Sequence, residues 1–209
     1  MKFDKHNISH FFIFLTSLIV LLIALPTRMF QKQLNQKIVV LYGHKLYGNL
    51  QAIYENKIAI NSDVFYLTLD KKYYNLLKQG NTNLLYGLSL KDVVKVVNCR
   101  IFICDHGLHF YKILMSLKNI IFIDTNHGIP YHKDALNSIE YFSKFNHVWL
   151  MSQYHKELFK KFNYSGTNID VTGYGRLDNL IQFSNKVTKE KNRIINLLKN
   201  EYNLNFETI

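Results

Sequence analysis

From residue 38 onward, the chain alternates short, mainly apolar runs with longer stretches in which apolar positions recur every three or four residues. The runs 38–42 (IVVLY), 64–69 (VFYLTL), 83–86, 100–104 (RIFIC), 120–124 (IIFID), 148–151 (VWLM) and 169–172 predict strands. The stretches 49–56, 71–78, 88–97, 110–117 and 154–162 predict helices, because their apolar positions fall on one helical face. Strands that are apolar on both faces and alternate with helices belong in a parallel sheet covered on both sides. The expected fold is therefore α/β, a doubly wound, Rossmann-like domain over residues 37–185. Residues 186–203 are charged and helical in pattern, and 204–209 leave an element unfinished. The segment 186–209 thus reads as an interdomain helix and the start of a second domain.

Ahead of this pattern stands a different one. Residues 11–25 are almost uninterruptedly apolar, softened by Thr16 and Ser17 and closed by Pro26. A cleaved signal peptide would need a small-residue cleavage site, and none follows Ala24. A buried core helix would normally keep one polar face, and this run has none. A short membrane anchor fits best, so residues 1–36 are expected to be an anchor and linker. Lys2 and Lys5 precede the run, while Arg28, Lys32, Lys37 and Lys45 follow it with no acid before Glu55. That asymmetry places the body of the chain on the cytoplasmic face of the cell membrane.

Composition sharpens the picture in two ways. A chain that is 48% hydrophobic can bury a sizeable core, which excludes disorder as the default. The formal net charge of +11 suits phospholipid headgroups, nucleic acid or a phosphorylated substrate. The basic residues are dispersed and accompany no nucleic-acid-binding motif, so no nucleic-acid partner is expected. Cys99 and Cys104 flank one predicted strand, an odd number of positions apart, and so face opposite sides of it. Buried thiols in a reducing compartment follow, with neither a disulfide nor metal-ligand spacing.

Three predicted strands end in polar clusters, and in α/β sheets ligands bind at the carboxyl ends of strands. Asp105-His106-Gly107 with His109 follows one strand. Asn126-His127-Gly128-Ile129-Pro130-Tyr131-His132-Lys133 follows the next, and Gly173-Tyr174-Gly175-Arg176-Leu177-Asp178 follows the last. A His-Gly pair places an imidazole where substrate approaches, while the glycine lets the backbone turn. Pro130 stiffens that loop, and His132 or Lys133 supplies positive charge to a phosphate. Arg176 can hold an anion, or can pair with Asp178 and so close a purely structural turn with Gly173. Ser152 stands at the start of the helix 154–162.

Taken in order, residues 120–133, 148–162 and 171–180 resemble the CDP-glycerol glycerophosphotransferase family of teichoic-acid synthesis. Its members carry an HG-x-P-x-K loop, an apolar strand ending in Ser that opens a helix, and a GYPR-x-D turn. This chain departs from that pattern at two places. His132 stands where the family has Lys, with Lys133 one residue later, and Gly175 replaces the proline of the turn. The resemblance implies the N-terminal, acceptor-side domain of a two-domain GT-B architecture. It implies His127 as catalytic base, with Gly128 and Pro130 shaping its loop. His132, Lys133, Ser152 and Arg176 would be the substrate and phosphate contacts.

The reaction so implied is transfer of glycerol phosphate from CDP-glycerol to a membrane-linked teichoic acid or polysaccharide acceptor. No cofactor is expected, and no residue is assigned to a metal. The expected partners are CDP-glycerol, held with a second domain, a lipid-linked polyanionic acceptor, and the membrane. Two other readings remain open at this point. One is a GT-B glycosyltransferase or epimerase using a nucleotide-sugar; the other is a non-catalytic, membrane-bound acceptor-binding fragment.

Overall fold

The computed structural model of the protein describes residues 8–30, 38–56, 62–80, 83–117, 119–126, 141–161, 168–173, 175 and 177. Seven strands form one sheet: β1 (Ile38–Tyr42), β2 (Asp63–Thr68), β3 (Leu84–Tyr86), β4 (Ile101–Cys104), β5 (Ile121–Asp124), β6 (His147–Leu150) and β7 (Asn168–Val171). Their order is β3-β2-β1-β4-β5-β6-β7, and every neighbouring pair is parallel. Order reverses between β1 and β4, where Tyr42 stands opposite Cys104. The fold is the expected α/β one, and each predicted strand lies within about two residues of its place.

Alternation along the strands builds two apolar layers. Val40, Tyr42, Leu67, Phe102, Phe122 and Val148 face one side, and Val39, Leu41, Val64, Tyr66, Ile103 and Ile123 the other. The second side is covered by α3 (Gly48–Glu55) and α4 (Lys71–Lys78). Asp70 caps α4 by accepting the Tyr73 N–H at 3.0 Å, and Ser89 caps α5 (Leu90–Val97) by accepting that of Asp92 at 3.4 Å. α5 packs on the first side beside the crossover from β4 to β5. That crossover, expected as an α-helix, is a 3₁₀ helix over His109–Ser116. Gly107 and His109 open it with φ of 88° and 47°, and Tyr111 and Leu114, three apart, stack on one buried face. α6 (Gln153–Lys161) joins β6 to β7.

The apolar N-terminal segment forms α1 (Ile8–Ala24), followed by the single turn α2 (Thr27–Phe30). Ile8–Met29, 22 residues that contain an 18-residue stretch of mean hydropathy 2.5, is long and apolar enough to cross a membrane. Its apolar character serves two faces. Ser17, Leu21 and Ala24 are buried, and α1 packs along α5. Phe14 meets Phe110 edge-on at 5.1 Å. The corner after α1 is tied down as well: Arg28 donates to the Val97 carbonyl, and Asn98 Nδ2 donates to Thr27 Oγ1. Ile8, Phe11, Phe12, Leu15, Ile19, Leu22 and Ile23 remain exposed. Truncating Leu21, which is fully buried, to alanine is expected to cost about 2–5 kcal/mol. The denaturant midpoint of the full chain in neutral detergent would show it; an unchanged midpoint would mean that α1 is not part of the folded core.

The segment 186–209, expected as an interdomain helix and the start of a second domain, lies outside the described residues.

Candidate functional site

In a parallel sheet all carboxyl ends share one edge, so the ends of β1, β4, β5 and β7 define the site region. At β5 the chain leaves the sheet through Asp124-Thr125-Asn126, all buried. Asn126 has a φ of 46°, a left-handed conformation that asparagine tolerates better than most residues. Asp124 secures that turn, its Oδ1 accepting the Asn126 N–H at 2.8 Å. Its Oδ2 accepts from the Tyr141 hydroxyl at 3.4 Å and from the Cys104 thiol at 3.7 Å. Burial pushes the Asp124 carboxyl up to about 6, against the pull of these hydrogen bonds and with a further push from Asp105.

A second residue holds the same turn from the far side. Asn49, buried in the first turn of α3, donates through Nδ2 to the carbonyls of Thr125 and Asn126, at 3.3 and 3.1 Å. Thr125 also donates its N–H to the Cys104 carbonyl at 2.8 Å. The backbone from Asp124 to Asn126 is thus fixed by β4 on one side and α3 on the other. The next residue in sequence is His127.

Between α3 and the ends of β5 and β7 lies a cleft of about 280 Å³, lined among others by Asn49, Thr125, Trp149, Thr172, Gly173 and Gly175. Gly173 has a φ of 79°, and its N–H donates to the Leu150 carbonyl at 3.3 Å. The cleft therefore brings Thr125, the residue just ahead of the second predicted cluster, against the start of the third. Ser152 sits at the end of β6, where its hydroxyl accepts the His155 N–H at 3.2 Å as the cap of α6. Of the other residues assigned from sequence, His127, Gly128, Pro130, His132, Lys133, Arg176 and Asp178 lie outside the described residues.

The ends of β1 and β4 gather three histidines. The rings of His44 and His106 are 4.8 Å apart, and those of His44 and His109 are 5.9 Å apart. His106 Nδ1 lies 2.7 Å from Asp105 Oδ1, and the Tyr42 hydroxyl pairs with His109 Nδ1 at 3.0 Å. Burial, and then neighbouring His44, hold His109 below the ordinary imidazole value. The close packing depends on Gly43, where a Cβ would run into the Asp105 carboxylate and meet Leu50 Cδ1 at 2.7 Å. His106 and His109 were legible as a strand-end cluster, whereas His44 and Asn49 were not singled out. The signal for His44 was a Gly-His pair at the end of an apolar run, the same cue in reverse order to His106-Gly107. Among the described residues, no group of three or more His, Cys, Asp or Glu side chains is arranged to hold a metal ion.

The fold is similar to that of the wall teichoic acid polymerase TagF. One TagF structure superposes with a TM-score of 0.55 at 16% sequence identity, covering 97% of this chain and 55% of TagF. A TagF variant soaked with CDPG gives 0.57 at 13% identity, covering 90% of this chain and 51% of its own. The chain thus spans about half the length of the TagF structures it matches. At these identities the likeness is one of fold, and it agrees with the expected Rossmann-like domain of a GT-B architecture. No protein-family model and no curated protein matches the chain.

Proposed function

We propose that the chain is the acceptor-side half of a glycerophosphotransferase-like enzyme at the cytoplasmic face of the cell membrane. It would transfer glycerol phosphate from CDP-glycerol to a membrane-linked teichoic acid or polysaccharide acceptor. The observation that carries this reading is the fold likeness to TagF along 97% of the chain. Two others support it. The Asn126 turn that leads into His127 and the Gly173 turn that leads towards Arg176 border one cleft. The exposed apolar face of α1 and the net charge of +11 suit an acceptor that is both lipid-linked and polyanionic.

In this reading an acceptor hydroxyl oxygen attacks the β-phosphorus of CDP-glycerol. A new P–O bond forms as the bond to the bridging oxygen breaks, and CMP departs with that electron pair. His127 takes the hydroxyl proton, for which an imidazole near neutral pH is suited. Lys133, His132 and Arg176 offset the charge that develops on the transferring phosphoryl group. Gly128 and Pro130 shape the loop, and Gly173 and Asp178 close the turn that carries Arg176.

The test is donor specificity. A protein joining this chain to a nucleotide-binding half is expected to release CMP from CDP-glycerol when acceptor is present, and to leave UDP- and GDP-sugars intact. The chain by itself is expected to bind CDP-glycerol weakly and to release little CMP. Turnover of a nucleotide-sugar, with none of CDP-glycerol, would transfer the reading to a sugar transferase.

A further inference from the structure

A second recess opens at the same edge, beside β1 and away from the Asn126 turn. It is lined by His44, Lys45, Tyr47, Lys72 and Tyr73, with Asp70 and Leu76 completing its wall. Two ammonium groups and an imidazole face it, against a single carboxylate. That carboxylate is already engaged, because Asp70 accepts the Tyr73 N–H as the cap of α4. Among the described residues, neither Lys45 nor Lys72 has an ion-pair partner. Asp105, at the end of neighbouring β4, is directed at His106.

The recess is also held in shape. The Leu46 N–H donates to the Tyr73 hydroxyl at 3.0 Å, which ties the loop after β1 to α4. Tyr73 in turn packs edge-on against buried Tyr66, and the Tyr66 hydroxyl donates to the Gly43 carbonyl at 3.0 Å. The loop that carries His44 and Lys45 is therefore fixed at both ends before any ligand arrives. Cations set around a rigid, phenol-lined recess recognise a compact oxyanion, with the lysines supplying charge and the hydroxyls direction.

The geometry points to a phosphate-binding site at His44, Lys45 and Lys72, taking the phosphoryl group of a small phosphomonoester or of a phosphodiester chain. The site stands without the transferase reading. Only its extension rests on that reading: there it would hold a phosphate of the polyanionic acceptor some way along the chain from the reacting hydroxyl. Lys45 and Lys72 are exposed, and exposed charge pairs are individually weak, so affinity on the order of millimolar is expected for a single phosphate.

The experiment is an amide-shift titration of the full chain in neutral detergent, with glycerol 3-phosphate and with inorganic phosphate as probes. Saturable shifts at His44, Lys45 and Tyr73 are expected with both. A Lys45→Gln, Lys72→Gln double variant should weaken binding by at least about tenfold. The pair Lys160→Gln, Lys161→Gln makes the same charge change at the end of α6 and should alter it by less than about twofold. Equal weakening by the two pairs would reduce the effect to diffuse surface charge and overturn the site, as would the absence of saturable shifts in the parent chain. Tighter binding of glycerol 3-phosphate than of inorganic phosphate would favour a polyol phosphate as ligand; equal binding would leave a general phosphate site. None of these outcomes depends on CMP release, so the site and the transferase reading stand or fall separately.

Discussion

Exchange of His127 for alanine is expected to lower glycerol phosphate transfer by about 10²–10⁴-fold, the contribution general-base catalysis makes, with the affinity for CDP-glycerol nearly unchanged. The hydroxyl of a polyol is a poor nucleophile while it keeps its proton, and the proton must leave as the P–O bond forms. An imidazole can accept it at neutral pH without being protonated beforehand. The residue just ahead of His127 is held by several hydrogen bonds. Asn126 holds a left-handed φ, Asp124 accepts its N–H, and Asn49 ties its carbonyl to α3. Such support around a turn is what a catalytic side chain needs if its position is to persist through the reaction. The measurement is CMP release by a protein that joins this chain to a nucleotide-binding half, followed across pH. The parent should lose kcat/KM towards acid pH, because the base must be unprotonated to act, and the His127→Ala variant should show neither that limb nor the rate. An unchanged rate would place the base elsewhere on the edge, where the His44, His106 and His109 group is the alternative among the described residues.

The fold was legible because the central strands are apolar on both faces and most helices after α1 on one, so periodicity separated them. The start of α4 followed directly, since Asp70 comes straight after the apolar run 64–69 and is a good helix cap. The 3₁₀ crossover was not legible. Residues 110–117 have helical spacing, and only the left-handed conformations at Gly107 and His109 show that the chain enters the segment too tightly for a regular α-helix. The docking of α1 was hidden for the opposite reason. A run that is apolar almost throughout has too little periodicity to say which face is covered, so buried Leu21 looks no different in sequence from exposed Leu15 and Leu22.

For the site, sequence could see strand ends but not which ends are neighbours. His44 meets His106 only because β1 lies beside β4, with Tyr42 opposite Cys104, a pairing between segments some sixty residues apart. Asn49 read as an ordinary helix residue. Its role as a clamp comes from the contact of α3 with the end of β5, a tertiary relation that leaves no local signature.

Replacing Asp124 by asparagine is expected to stabilise the protein at neutral pH, although it removes a hydrogen-bonded residue from the centre of the site. Asp124 is 2% exposed, and its carboxyl lies at about 6 in the folded chain against an ordinary 3.8. The folded state therefore binds this proton more tightly than the unfolded chain does. Its contribution to stability is most favourable below 3.8, declines as pH rises from there to about 6, and is fully unfavourable above. At about 1.4 kcal/mol per unit, the charged carboxylate costs roughly 3 kcal/mol at neutral pH. An amide escapes that cost while its oxygen still accepts the Asn126 N–H. The gain of Asp124→Asn in urea unfolding should therefore be largest near pH 7.5 and fade as pH falls through about 6 towards 3.8. Asp124→Ala should fall below the asparagine variant by about 1–3 kcal/mol, because it leaves the Asn126 N–H buried without an acceptor. An asparagine variant less stable than its parent at pH 7.5 would show that burial does not dominate, and that the charge is supported by its surroundings. If the gain is found, Asp124 is a residue kept at a cost to stability, and costs of that kind are commonly retained where a carboxylate serves function. The place of this one, two residues ahead of a turn that β4 and α3 both hold, puts that service at the turn leading into His127.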